Sequence, residues 1–273
     1  GESCADAGDC LDEARVISGR TRSTLEDVSA FCDRTVALVL TGCAVRDEVT
    51  RLLDAGPAPG LCGSMHQWML RMRAAAEGQP ASVGDVYRYV VAARTLESGF
   101  SHYWRQMTHI SAELESALLR CVENARRAIG ALAASIGARM RFTRFKGCTL
   151  RWAPPWFRDA YSGLLVVPSD ETGVLFWGKH RTTRCVLQVK TAPSLRHEDA
   201  VVAAACGAVI GLNEACDTRV FVLLANLGKV FEVHTRCSHF ELLHRLIRRK
   251  MGMSWCADTM KADLEHWERV SFF

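Results

Sequence analysis

The feature that most constrains this chain is a buried-type strand followed at once by a helix built from small residues. Cys185-Val186-Leu187-Gln188-Val189-Lys190-Thr191 is largely apolar and β-branched, which suits a strand. Residues 196–214 then read as a helix carrying Ala203, Ala204, Ala205, Gly207, Ala208 and Gly211, small enough to lie close against a sheet. Residues 219–225 and 229–234 form a hairpin around Asn226-Leu227-Gly228. Strand, close-packed helix and strand pair in that order require a mixed α/β domain.

The rest of the chain is read around this segment. Residues 1–140 show helical spacing only, and from Arg141 aromatic, Thr and Cys residues replace it. Short strands are expected over 163–167 and 174–177, with a turn over 168–173 between them. Helices are expected over 44–54, 61–77, 83–96, 238–250 and 259–269. Ser23-Thr24-Leu25-Glu26 has the form of a capping box ahead of Leu25, Val28, Phe31 and Cys32. The longest periodic run, about Tyr103 to Ala138, has Met107, Ile110, Leu114, Leu118, Val122, Ala125, Ile129, Leu132 and Ile136 on one stripe. A helix of that length spans ~45–50 Å at ~1.5 Å per residue. It reads as an amphipathic core helix, with a dimerising coiled coil as the alternative. The expected division is a helical region over 1–104 and an α/β domain over 105–273 that includes the long helix 105–138.

Composition excludes some classes. Hydrophobic residues at 49% and charged residues at 23% are globular values, so the chain is not read as disordered. A net charge of +4 permits an acidic partner without demanding nucleic acid. The twelve cysteines include no Cys-x-x-Cys pair, Cys4 and Cys10 being the closest, which argues against a structural zinc clip. They are expected to be reduced, buried thiols of an intracellular protein. The polar, acidic opening is not a secretory signal, and Gly1 in first place suggests a piece of a longer protein. The uncharged, largely apolar stretch 200–212 is shorter than the ~18–20 residues a membrane span requires, so a soluble protein is expected.

The order of elements and the Val186-Leu187-Gln188-Val189-Lys190 strand resemble the PD-(D/E)XK restriction-endonuclease-like superfamily, over about residues 105–250. The resemblance implies a mixed sheet flanked by helices. In that superfamily an Asp begins the second core strand, and an acidic residue and a Lys stand two apart on the third. Residues two apart on a strand share a face, so both reach one cleft. There the carboxylates hold Mg²⁺ and the lysine supports the attacking water or the developing charge. Lys190 matches the lysine, and Gln188 stands where the carboxylate belongs. The missing Asp falls near Thr172 or Ser162, neither acidic, with Asp170, Glu171 and Asp159 nearby. Glu113, Glu115 or Glu123 on the preceding helix are possible auxiliary carboxylates.

The resemblance thus implies a degenerate copy: no working catalytic residue at Gln188, Lys190, Asp170 or Glu171, no cofactor and no bound metal. In overall texture the chain is also similar to the C-terminal pseudonuclease domains of kinetoplastid kinetochore proteins. That implies a nuclear location, protein partners and a role in chromosome segregation. Two alternatives stay open: a Mg²⁺-dependent nuclease on DNA or RNA using Asp170 or Glu171 with Gln188 and Lys190, and a viral nuclear or tegument protein.

Other features divide between a plain and a functional reading. Arg245, Arg248, Arg249 and Lys250 make the helix 238–250 basic; it is a solvated face or a weak nucleic-acid contact. Arg139, Arg141, Arg144, Lys146 and Arg151 form a second basic cluster. Cys237, His239 and His244 are metal-capable but lack a fourth ligand. Trp152, Trp156 and Trp177 read as packing before base stacking.

Overall fold

Among the described residues helices are the only regular elements as far as Ile136, and a five-stranded sheet with its helices follows. The computed structural model describes residues 22–56, 61–98, 103–104, 108–136, 143–144, 173–177, 183–250, 252 and 254–271. In chain order the described elements are α1 (Arg22–Leu40), α2 (Val45–Asp54), α3 (Gly63–Ala74), α4 (Val83–Ser98), α5 (Ala112–Ile136), β1 (Thr143–Arg144), β2 (Gly173–Trp177), β3 (Thr183–Lys190), α6 (His197–Glu214), β4 (Asp217–Leu224), β5 (Lys229–Val233), α7 (His239–Lys250) and α8 (Ala257–Ser271). The protein is therefore mixed α/β, as the strand–helix–strand pattern requires. It divides into two units, one of Gly1–Arg127, Val189–Pro193 and Leu224–Gly228, the other of Ala128–Gln188, Ser194–Leu223 and Lys229–Phe273.

In the first unit α1 lies against α4, and α2 against α3 and α4. Their facing stripes bury Val28, Phe31, Cys32 and Val36 of α1 with Val86, Tyr87, Val90 and Val91 of α4. Phe31 meets Tyr87 edge-on at 6.4 Å, a geometry aromatic quadrupoles favour. Thr35 and Thr95, fully buried in helices, satisfy their hydroxyls on the carbonyls four residues back, Phe31 O and Val91 O, both at 2.7 Å. The capping-box expectation does not hold: α1 already includes Arg22, so Ser23 stands inside the helix. The long helix begins at Ala112 instead of near Tyr103. Ser111 caps it by accepting the Leu114 N–H at 3.2 Å, and Thr108–Ile110 is not helical. Its 25 residues correspond to ~37 Å, not ~45–50 Å.

In the second unit the strands run in the order β1-β2-β3-β4-β5. β1 pairs antiparallel with β2, and β2 with β3, where Gly173 stands opposite Gln188 and Trp177 opposite Arg184. β3 and β4 are neighbours joined by the helix α6. Six successive residues of β3, Cys185–Lys190, are buried, as in a strand covered on both faces. α6 is buried along most of its length from Ala203 to Gly211. A Cβ on Gly207 would stand 2.3 Å from Val220 Cγ2, and one on Gly211 2.2 Å from the His239 ring. These contacts explain the two glycines: β4 at Gly207 and α7 at Gly211 come too close for a methyl group. The strand expected over 163–167 lies outside the described residues.

Among the described residues no single helix is long and apolar enough to cross a membrane. None of the nine described cysteines is disulfide-bonded. Burial pushes the Cys121 and Cys185 thiols up to about 11, away from the reactive thiolate.

Candidate functional site

The site is built from the end of β3 upward. Lys190 is the last residue of the strand and Thr191 the first beyond it, and both are buried. Lys190 O accepts the Ala225 N–H at 2.7 Å, which fixes the strand end against the turn that follows β4. A lysine buried at 7% exposure needs a counter-charge, because an ammonium ion removed from water is costly.

Asp33 of α1, itself 4% exposed, supplies such a charge. Its Oδ2 lies 3.5 Å from Lys190 Nζ. Its Oδ1 accepts the Thr191 backbone N–H at 2.5 Å and the Thr191 hydroxyl at 2.7 Å. Both carboxylate oxygens are thus engaged by the end of β3. Sequence reading missed Asp33, which is distant in the chain and sits inside an apolar helical stripe. That location was the available signal: an acid between Phe31, Cys32, Val36 and Ala37 is buried with them and must find a cation or donors.

Gln188, two residues before Lys190, is 1% exposed. Its Nε2 lies 3.8 Å from Cys206 Sγ of α6, and its Oε1 has no hydrogen-bond partner. A buried amide oxygen left without a donor costs ~1–3 kcal/mol. The amide is turned toward a thiol and carries no charge.

The remaining sequence candidates separate. Asp170 and Glu171 lie outside the described residues, as do Thr172, Ser162, Asp159, Trp152 and Trp156. Glu113 and Glu123 are exposed on α5, and Glu115 lies beside Gly84. No group of three or more His, Cys, Asp and Glu among the described residues is placed to hold a metal ion. His239 meets Thr218 Oγ1 at 2.9 Å through Nε2, and burial lowers its pKa below the usual 6.5. His244 is 1% exposed and meets Asp263 Oδ2 at 2.9 Å, tying α7 to α8. The two histidines therefore serve different contacts.

On α7, Arg245 meets Glu241 Oε1 at 2.6 Å and lies over the Trp255 ring at 4.0 Å, while Arg248 donates to Ser254 O at 2.9 Å. Arg249 is exposed, and the side chain of Lys250 lies outside the described residues. Of the second basic cluster only the strand backbone at Arg144 is described.

No protein family matches this chain, and it matches neither a curated protein nor a solved structure. What the fold and the site define is a mixed α/β protein in which a buried strand-end lysine and threonine are held by a helix-borne carboxylate.

Proposed function

We propose that this chain is a catalytically silent nuclease-type domain, restriction-endonuclease-like in fold, that acts by binding other proteins in a nuclear assembly. The observation that carries the silent reading is the engagement of Lys190 by Asp33. In a metal-dependent nuclease the strand lysine must reach a water or the developing phosphate charge. Here it is buried against a carboxylate whose other oxygen already accepts two donors from Thr191. Gln188 at the acidic position adds no charge for a metal, and its Nε2 is turned to Cys206.

Incubation of the full chain with DNA and with RNA in Mg²⁺ or Mn²⁺ tests this. No cleavage is expected above that of a Lys190→Ala variant. Robust cleavage lost in Lys190→Ala overturns the reading in favour of an active nuclease drawing on Asp170 or Glu171. The narrower placement at a kinetochore, in chromosome segregation, rests on the textural resemblance given above. A fluorescently tagged copy is expected at chromosomal attachment sites in dividing cells, and a signal confined outside the nucleus overturns that placement.

A further inference from the structure

We propose that Lys190 and Thr191 form an oxyanion seat, that Asp33 is its built-in occupant, and that departure of Asp33 opens the seat to an external carboxylate or phosphate. Three different donors converge on one carboxylate: the Lys190 ammonium, the Thr191 backbone N–H and the Thr191 hydroxyl. An ammonium, a main-chain N–H and a hydroxyl together are a donor set suited to a bound oxyanion. The seat and its occupant come from separate elements. Lys190 and Thr191 are placed by the strand end, where the Ala225 N–H to Lys190 O bond at 2.7 Å makes no use of Asp33. Asp33 arrives on α1, 158 positions from Thr191 in the chain. Loss of the aspartate side chain therefore takes a carboxylate away from the Lys190 ammonium, the Thr191 N–H and the Thr191 hydroxyl without deleting any of these donors. All three residues are 4–7% exposed, so water screens and competes poorly there.

The seat accounts for the lysine without any cleavage chemistry: the cation at the end of β3 binds an anion, and the chain itself supplies one. In the intact protein Asp33 acts as a competitor tethered in place, so an external oxyanion binds only as α1 gives up the contact. The inference rests on the engagement of Lys190 that carries the silent reading, but it does not require the chain to be inactive.

The test uses the full chain carrying Asp33→Ala, with formate and inorganic phosphate as probes and chloride at matched ionic strength as the control. Formate fits the volume of the lost carboxylate, whereas phosphate also demands room for a tetrahedral ion. Asp33→Ala is expected to melt below the unsubstituted protein. It then recovers ~2–5 °C as formate, phosphate or both reach several times their Kd. The unsubstituted protein does not gain this increment over chloride, and neither does Asp33→Ala combined with Lys190→Met. Melting of Asp33→Ala that is the same in all three salts overturns the seat, as does an anion-specific rise that survives Lys190→Met. If Asp33→Ala is recovered unfolded, the same anions during refolding are expected to restore soluble protein, and failure of both overturns the seat. Nuclease assays on the same variants keep the two readings apart, since cleavage overturns only the silent domain and anion-blind melting only the seat.

Discussion

At the scale of single residues the Asp33–Lys190 pair is a buried pair of opposite charges with a high desolvation cost. Two charges taken from water are tolerated when paired, so removal of either takes a buried counter-charge from the other. Lys190→Met and Asp33→Asn are each expected to cost ~3–5 kcal/mol in urea denaturation at pH 7. The double substitution is expected to cost clearly less than the sum, because neither charge then remains. Additive losses would mean that the two side chains do not depend on each other. The pair also marks the limit of what the sequence disclosed about the site. Lys190 and Gln188 were legible because strand alternation is local and both belong to one pattern. Asp33 was not, since its partner is reached only through tertiary packing and no spacing rule joins a helix position near 30 to a strand end near 190. The location of an acid within the buried stripe of α1 was local information, but it gives no direction toward β3.

At the scale of elements, close approach governs α6. Gly207→Ala drives a methyl group into Val220 Cγ2 and is expected to destabilise by ~1–3 kcal/mol through strain in the β4 contact. Gly130→Ala on α5 is its opposite, because nothing lies within 4 Å of a Cβ there and the site is exposed. It is expected to stabilise by ~0.5–1 kcal/mol through helix propensity alone. Urea midpoints that move in the same direction for both would refute the packing account. α6 and α7 also meet where His239 lies against Gly211, and burial there lowers the histidine's pKa below the 6.5 of an unfolded chain. The unfolded state therefore binds the proton more readily. The contribution is fully present above about pH 6.5 and is lost as pH falls through 6.5 toward the depressed folded value. His239→Gln is expected to remove that part of the fall in Tm between pH 7 and 5, and an unchanged difference between the two pH values would show that the ring does not titrate as its surroundings require. The small residues of α6 and the hairpin after it were legible, since composition and periodicity act within each element. The start of α5 was misjudged because apolar spacing runs on through Ile110, and the cap at Ser111 is a single hydroxyl that the stripe outweighs.

At the scale of the whole molecule, twelve cysteines in 273 residues raise the question of what holds the fold together. A chain of this length buries enough apolar surface to fold without cross-links, and none of the nine described cysteines is disulfide-bonded. Their reactivity should then follow burial and local charge, not pairing. Cys256 is exposed just ahead of α8, where the Thr259 and Asp258 backbone N–H groups hold its pKa below the ordinary thiol range. Cys121 and Cys185, pushed up to about 11 by burial, carry only ~10⁻³ thiolate at pH 8 before access is even considered. Brief alkylation with iodoacetamide at pH 8, read peptide by peptide by mass spectrometry, is expected to mark Cys256 first. Cys43, Cys62, Cys216 and Cys237, partly exposed, should follow, and Cys32, Cys121, Cys185 and Cys206 should stay unmodified until urea passes the unfolding midpoint. Rapid native labelling of Cys121 or Cys185 would show that the contacts around α5 or β3 open far more often than their burial implies.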